Sequence, residues 1–187
     1  KQDKKEFTLM YSGSLVESYD FDLVFDAAKK LKNEKIKFVI RGKGTLLSQL
    51  IHKKNQMDLK NIEIDTNIVP YEKISEVLSL ADAFLVPMKN EIALNSTLPT
   101  KILEYQAIGR PIICCSEGAP GKYVEETNSG IKVNYGNLDE FVNAILKLQN
   151  NDELCYSIGK NSKKYVDDNL TFKKIGDKLS KMIESLK

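Results

Sequence analysis

Lys101 and Glu104 stand three residues apart in the run LPTKILEYQAIGRPIICC, residues 98–115. Pro99 and Thr100 read as a helix start, which puts Lys101 in the first turn and Glu104 on the same face. That end of a helix exposes backbone N–H groups and partial positive charge, so a lysine there is mildly unfavourable unless something negative joins it. An anion at this terminus would meet the amides of Thr100 and Lys101 together with the Lys101 ammonium, the combination used for phosphate. Glu104, one turn further in, could accept two hydrogen bonds from a vicinal diol. A nucleoside diphosphate carries a phosphate pair and a ribose diol at such a separation. A Lys101–Glu104 surface ion pair contributing about 0.2–0.5 kcal/mol explains the same spacing. On the residues alone both readings stand.

Two glycine loops could serve the same chemistry. YSGS leaves the first apolar run through Gly13, and RGKG leaves the second through Gly42 and Gly44. Glycine lets backbone N–H groups approach an anion closely, but it also simply permits a tight strand-to-helix turn. GKGTLL has the first half of a dinucleotide fingerprint, with Asp65 downstream where a ribose-binding acid would fall. Leu47 replaces the third glycine, and the run follows the second strand rather than the first.

The elements that must position these residues alternate. FTLMYS (7–12), IKFVIR (36–41), IEID (62–65), AFLVPM (83–88), PIICCS (111–116) and GIKVNY (130–135) are near-continuous apolar runs, as expected of strands covered on both faces. Helical patterns separate them: FDLVFDAAKKLKN, TLLSQLIHKK, EKISEVLSLA, TKILEYQA and KYVEET. Three more helices are expected over roughly 138–150, 152–168 and 172–186. Such alternation predicts an α/β doubly wound, Rossmann-like parallel sheet of six strands. Ligands of such sheets bind beyond the carboxyl ends of the strands, where the order reverses. The 88–99 loop, which runs into the Lys101 helix, lies at that point.

Composition narrows the rest. The chain of 187 residues is long enough for one well-filled core, and a net charge of +2 gives no general attraction to nucleic acid or membrane. The opening residues 1–6 are charged and read as a linker, leaving 7–187 as one domain. No spanning helix or signal peptide is visible. Three cysteines argue against a disulfide framework, and the adjacent Cys114 and Cys115 belong to an apolar strand. The single histidine, His52, sits in the polar run IHKKNQ, where a solvated helix face is expected. It supports neither a zinc site nor a Ser-His-Asp arrangement, and no metal site is expected.

Taken in order and spacing, these segments resemble the C-terminal, donor-binding domain of GT-B-fold glycosyltransferases, in particular the retaining family 4 (group 1) enzymes. The segments are YSGSL, FVIRGKG, NIEIDTNIVPYEKISEVLSLADAFLVP, LPTKILEYQAIGRPII, EETNSGIKV and KKYVDDNLTFKKIGDKL. Members that build surface polysaccharides, such as capsule or lipopolysaccharide, commonly carry a P-(S/T)-K-(x)-x-E-Y segment like this one. The resemblance implies the strand order 3-2-1-4-5-6, and that Glu104 is the second glutamate of an E-x7-E motif and holds the nucleotide ribose. It places Thr100 and Lys101 at the diphosphate, Gly13 and Ser14 in the glycine loop near it, and Ile68, Val69 and Pro70 beside the base. Ser96 occupies the place of the first motif glutamate, which usually contacts the donor sugar. The first loop lacks the usual arginine and lysine, so Arg41, Lys43 or Lys101 is expected to supply that charge.

The implied function is metal-independent transfer of a sugar from a nucleotide-diphospho-sugar, a substrate rather than a cofactor, to a saccharide or lipid-linked acceptor. An N-terminal glycosyltransferase domain would supply the acceptor site, so this domain alone is expected to be inactive. The implied setting is cytoplasmic, peripheral to the inner membrane face through the rest of the protein. One rival is a non-catalytic module that binds a nucleotide, a sugar or partner proteins. A remoter one is an NAD-dependent oxidoreductase.

Overall fold

All six apolar runs become strands, and every pairing between them is parallel. The computed structural model describes residues 6–186; residues 1–5 of the expected linker, and Lys187, lie outside the described residues. The strands are β1 (Phe7–Ser12), β2 (Ile36–Arg41), β3 (Ile62–Asp65), β4 (Ala83–Pro87), β5 (Ile112–Cys115) and β6 (Gly130–Val133). Their order is β3-β2-β1-β4-β5-β6, as the family resemblance implies. The order therefore reverses between β1 and β4, whose pairing joins Leu9 to Ala83 and Met10 to Phe84.

Helices cover both faces because the strands are apolar on both. On one face Leu9, Tyr11, Phe38, Ile40, Leu85 and Ile113 pack with α1 (Phe21–Lys30), α2 (Leu47–Gln56) and α7 (Leu138–Gln149). On the other, Met10, Val39, Phe84, Val86, Ile112 and Cys114 pack against α3 (Ile74–Leu78), α5 (Thr100–Ile108) and α6 (Ala119–Glu126). Residues one apart along a strand thus serve different cores, as the two-residue period requires. Cys114 and Cys115 are free, buried thiols on opposite faces of β5, and His52 is exposed on α2.

Two segments differ from the sequence reading. The 88–99 connection contains a short helix, α4 (Ile92–Asn95), and the third helical pattern begins as a 3-10 turn over Tyr71–Lys73. Both are too short to show an amphipathic period. The last helices, α8 (Asp152–Asn169) and α9 (Phe172–Glu184), follow α7. Gly159 of α8 meets Gly109, at the end of α5, so closely that a Cβ would fall 2.2 Å from the Gly109 carbonyl oxygen.

Capping separates α5 from several of its neighbours. Asp20, Asn137, Asn151 and Thr171 cap α1, α7, α8 and α9 by accepting from amides of the first turn. Pro99 precedes α5 and has no side-chain oxygen to offer, while Gly109 ends it in the left-handed conformation at φ 75°. The start of α5 therefore faces the carboxyl ends of β1 and β4 with its first amides uncapped.

Candidate functional site

A cleft of about 460 Å³ opens at this reversal of strand order, lined by Gly13, Ser14, Tyr19, Thr100, Lys101 and Glu104, among others. Two tethers hold its walls together. The Tyr105 hydroxyl accepts from the Ser12 amide at 2.8 Å and donates to the Ser12 carbonyl at 3.0 Å. Its ring lies flat on Phe84 of β4, with centroids 3.9 Å apart and planes 4° from parallel. The second tether is Lys101. Its Nζ donates to the Tyr11 hydroxyl at 2.6 Å, and that hydroxyl donates in turn to the Ser14 carbonyl at 2.5 Å.

Lys101 is no surface residue, which removes the surface ion-pair reading. It is 9% exposed, and its Nζ lies 3.9 Å from the ring centroids of both Tyr11 and Tyr19. Cation–π attraction holds an ammonium in such a place without giving it a counter-charge. Among the described residues no carboxylate lies within ion-pairing distance of it. Burial pulls its pKa from the ordinary lysine value down to about 7, with the charge of Glu104 acting weakly the other way. Burial pushes the Tyr11 and Tyr105 hydroxyls well above the ordinary phenol value, so both remain neutral hydrogen-bonding groups.

Gly13 completes this wall. At φ 149° it is strained for any side chain, and a Cβ there would fall 2.6 Å from the Lys101 Nζ. Glu104 is exposed and lines the cleft one turn along α5. The cleft thus combines uncapped helix amides, one amine, a glycine loop and one carboxylate. That set suits an anion joined to a polyhydroxyl group.

The remaining sequence-derived residues fall elsewhere. Arg41, at the end of β2, pairs with Asp65 across the in-register β2–β3 ladder, its Nε 3.0 Å from the carboxylate. Its guanidinium also donates to the Asn67 carbonyl at 2.7 Å. Lys43 is exposed on the loop beyond β2, while Ile68 and Pro70 are exposed and Val69 half-buried beyond β3. Gly42 and Gly44 press against the loop after β1: Cβ atoms there would fall 1.8 Å from the Gly13 carbonyl oxygen and 2.2 Å from that of Leu15. These two glycines serve backbone packing. Ser96 faces a neighbouring hollow with Asn95, Gly118, Lys122 and Tyr135. There the Tyr135 hydroxyl hydrogen-bonds to Asn95 Oδ1 and lies 3.1 Å from Ser116 Oγ, tying α4 to the β5 and β6 ends.

Tyr11, Tyr19 and Tyr105 carry the site's geometry and escaped the sequence reading. The available signal was a tyrosine at each end of the first loop and one after Glu104, since buried tyrosines need partners for their hydroxyls. A separate hollow of about 690 Å³ lies at the amino ends of the strands, among Phe7, Asp82, Arg110 and Lys163. It contains none of the site residues expected from the sequence and lies at the opposite end of the sheet from the expected ligand position.

Comparison with known proteins gives a consistent result. The profile of the family described as glycosyl transferases group 1 matches residues 1–165. WcaI of Escherichia coli K12, a glycosyl transferase named for colanic acid biosynthesis, is 28% identical over 109 residues, covering 58% of this chain and 26% of that protein. The uncharacterized glycosyltransferase MJ1178 of Methanocaldococcus jannaschii is 22% identical over 156 residues, 83% of this chain and 42% of its own length. The chain thus spans well under half the length of these relatives. Among solved structures, sucrose-phosphate synthase from Thermosynechococcus elongatus superposes with a TM-score of 0.82 at 16% identity, over 98% of this chain and 46% of that one. Anabaena Alr3699/HepE, solved in complex with UDP, superposes with a TM-score of 0.78 at 14% identity, over 97% and 49%.

Proposed function

The chain belongs to the glycosyl transferases group 1 family, with the fold of a C-terminal GT-B domain, and from that premise we propose that the cleft between β1 and α5 binds the nucleotide-diphospho-sugar donor. In this reading the diphosphate lies against the first amides of α5, Gly13, Ser14 and the Lys101 amine, and Glu104 accepts from the ribose diol. Ile68, Val69 and Pro70 border the base, and Ser96 looks toward the sugar. Arg41 and Lys43 add positive potential from the β2 end, Arg41 while paired with Asp65.

One observation carries this reading: a buried amine with no carboxylate partner among the described residues shares a cleft with an exposed glutamate one helical turn away. The chemistry follows from it. Sugar transfer breaks the bond between the anomeric carbon and the diphosphate, and negative charge grows on the departing phosphate oxygens. Helix amides and a nearby ammonium, fixed before the reaction, stabilise that charge. Transfer would be retaining and would need no metal ion. Among the described residues no three His, Cys, Asp or Glu side chains gather as a ligand set. The acceptor, saccharide or lipid-linked, would be held by an N-terminal domain, and the isolated domain would not turn over. Surface polysaccharide synthesis at the inner membrane face is the setting proposed. Among the described residues no helix is long and apolar enough to cross a membrane.

A thermal-shift screen against UDP-, GDP-, ADP- and dTDP-sugars tests the reading, because a ligand of the folded state raises apparent stability. One class should raise the unfolding temperature, and EDTA should not change that shift. No shift with any of them would refute it. A second reading has one observation of its own: Ser96 stands where an acid is expected, so the domain could bind donor in a protein that transfers nothing. Turnover by the full-length protein separates the two.

A further inference from the structure

Lys101 is held in a way that makes its charge conditional on the ligand. We propose that Tyr11, Tyr19 and Lys101 form an anion-reading unit, in which the two tyrosines position a lysine that takes up a proton as a diphosphate enters the cleft. This rests on the nucleotide-binding reading of the cleft and adds to it a proton and two positioning residues.

The argument begins with what surrounds the amine. From β1 comes the Tyr11 phenol, and from the loop after it the Tyr19 ring; both are neutral and both lie 3.9 Å from Nζ by ring centroid. From its own helix come the neutral Tyr105 and the exposed Glu104, which forms no ion pair among the described residues. From beyond β4, the cleft residues Met88, Leu94 and Thr97 carry no charge. The amine is therefore desolvated with a single carboxylate nearby, and that one open to water. Desolvation favours the neutral form, and an anion brought to the open side favours the charged one. A diphosphate therefore binds the ammonium better than the amine, and linkage requires binding to draw a proton from the buffer.

The Tyr11 hydroxyl gives the unit a second output. It accepts from Lys101 and donates to the Ser14 carbonyl, so charging the lysine strengthens the chain of hydrogen bonds holding the glycine loop. Loop and ammonium then close on the phosphates together. An uncharged nucleoside would engage neither.

Titration calorimetry of UDP, GDP, ADP and dTDP into the protein at pH 8 provides the test, run in two buffers of different ionisation enthalpy. Free UDP is fully ionised at that pH, so an uptake of close to one proton would be assigned to the protein. The corresponding nucleoside should bind with no uptake. Between pH 7.5 and 8.5 diphosphate affinity should fall about tenfold, and below pH 6.5 the uptake should fade. Lys101→Met should bind more weakly with no uptake. Lys101→Arg, permanently charged, should restore affinity without uptake. Tyr19→Leu, which opens the amine to water, should reduce uptake at pH 8 to less than half. Diphosphate binding by the wild-type protein with no proton uptake overturns the inference and leaves the cleft assignment intact. Absence of binding by all four nucleotides overturns both.

Discussion

The Tyr105 hydroxyl makes both hydrogen bonds of one residue on another chain segment, accepting from the Ser12 amide and donating to the Ser12 carbonyl. Ser12 is the last residue of β1, and Tyr105 lies in the middle of α5. The pair fixes where the start of α5 stands relative to the glycine loop. Tyr105→Phe keeps the stacking on Phe84 but strands the Ser12 amide. Urea unfolding should show a loss of about 1–3 kcal/mol, the range for a buried group left unpaired. Diphosphate affinity should fall as well, because the walls of the cleft lose one of their two tethers. An unchanged midpoint would mean that water replaces the phenol at no cost.

Glu104 tests the ribose contact. Being exposed in a helix, it can become alanine with little effect on folding. Hydrogen bonds from a diol to a carboxylate contribute roughly 1.5–3 kcal/mol, so Glu104→Ala should weaken the nucleotide about 10- to 100-fold in calorimetric titration. Binding of the corresponding 2′,3′-dideoxynucleotide should be insensitive to the substitution. Wild-type affinity for the ordinary nucleotide in Glu104→Ala would remove the ribose assignment.

Two glycines should respond in opposite directions. Gly42 has φ 145°, and a Cβ there would sit 1.8 Å from the Gly13 carbonyl oxygen, so Gly42→Ala should cost upwards of about 3 kcal/mol and disturb the glycine loop. Gly176 lies inside α9 with nothing within 4 Å of its Cβ position. Gly176→Ala should stabilise by about 0.5–1 kcal/mol. Thermal unfolding of the two variants beside wild type reads both effects.

Lys101 should shape the pH dependence of stability. Its folded pKa is lowered to about 7, below that of an unfolded lysine, so between the two values the unfolded chain binds more protons. Stability then rises with pH across that window. The cost of burying the charge is fully present below about pH 7 and is relieved toward pH 10, an effect on the order of a few kcal/mol. Lys101→Met should lack this rise and gain most over wild type at pH 6. Denaturation curves at pH 6 and 9 would show it; parallel behaviour of the two proteins would mean that the amine is hydrated in the folded state.

The sequence alone determined the parallel sheet and the end of it that carries the cleft. Both follow from local patterns, apolar runs of strand length with helical periods between them, while the strand order came from the resemblance of whole segments to a known domain. It also set Lys101 and Glu104 one turn apart on the same helix, because that spacing is intrinsic to the helix. What surrounds each side chain was decided by the tertiary structure. Arg41 and Lys101 look alike in sequence, as cations near the carboxyl ends of strands. Register places Asp65 directly beside Arg41 and gives it an acidic partner. The packing of α5 on β4 brings Lys101 to Tyr11, 90 residues away, and leaves it between two rings. Hydrophobic period reports whether a residue is buried; the charge it meets once buried depends on long-range contacts that no local pattern encodes. That is why the lysine at the start of α5 could be located from sequence, while its burial between two tyrosine rings required the fold.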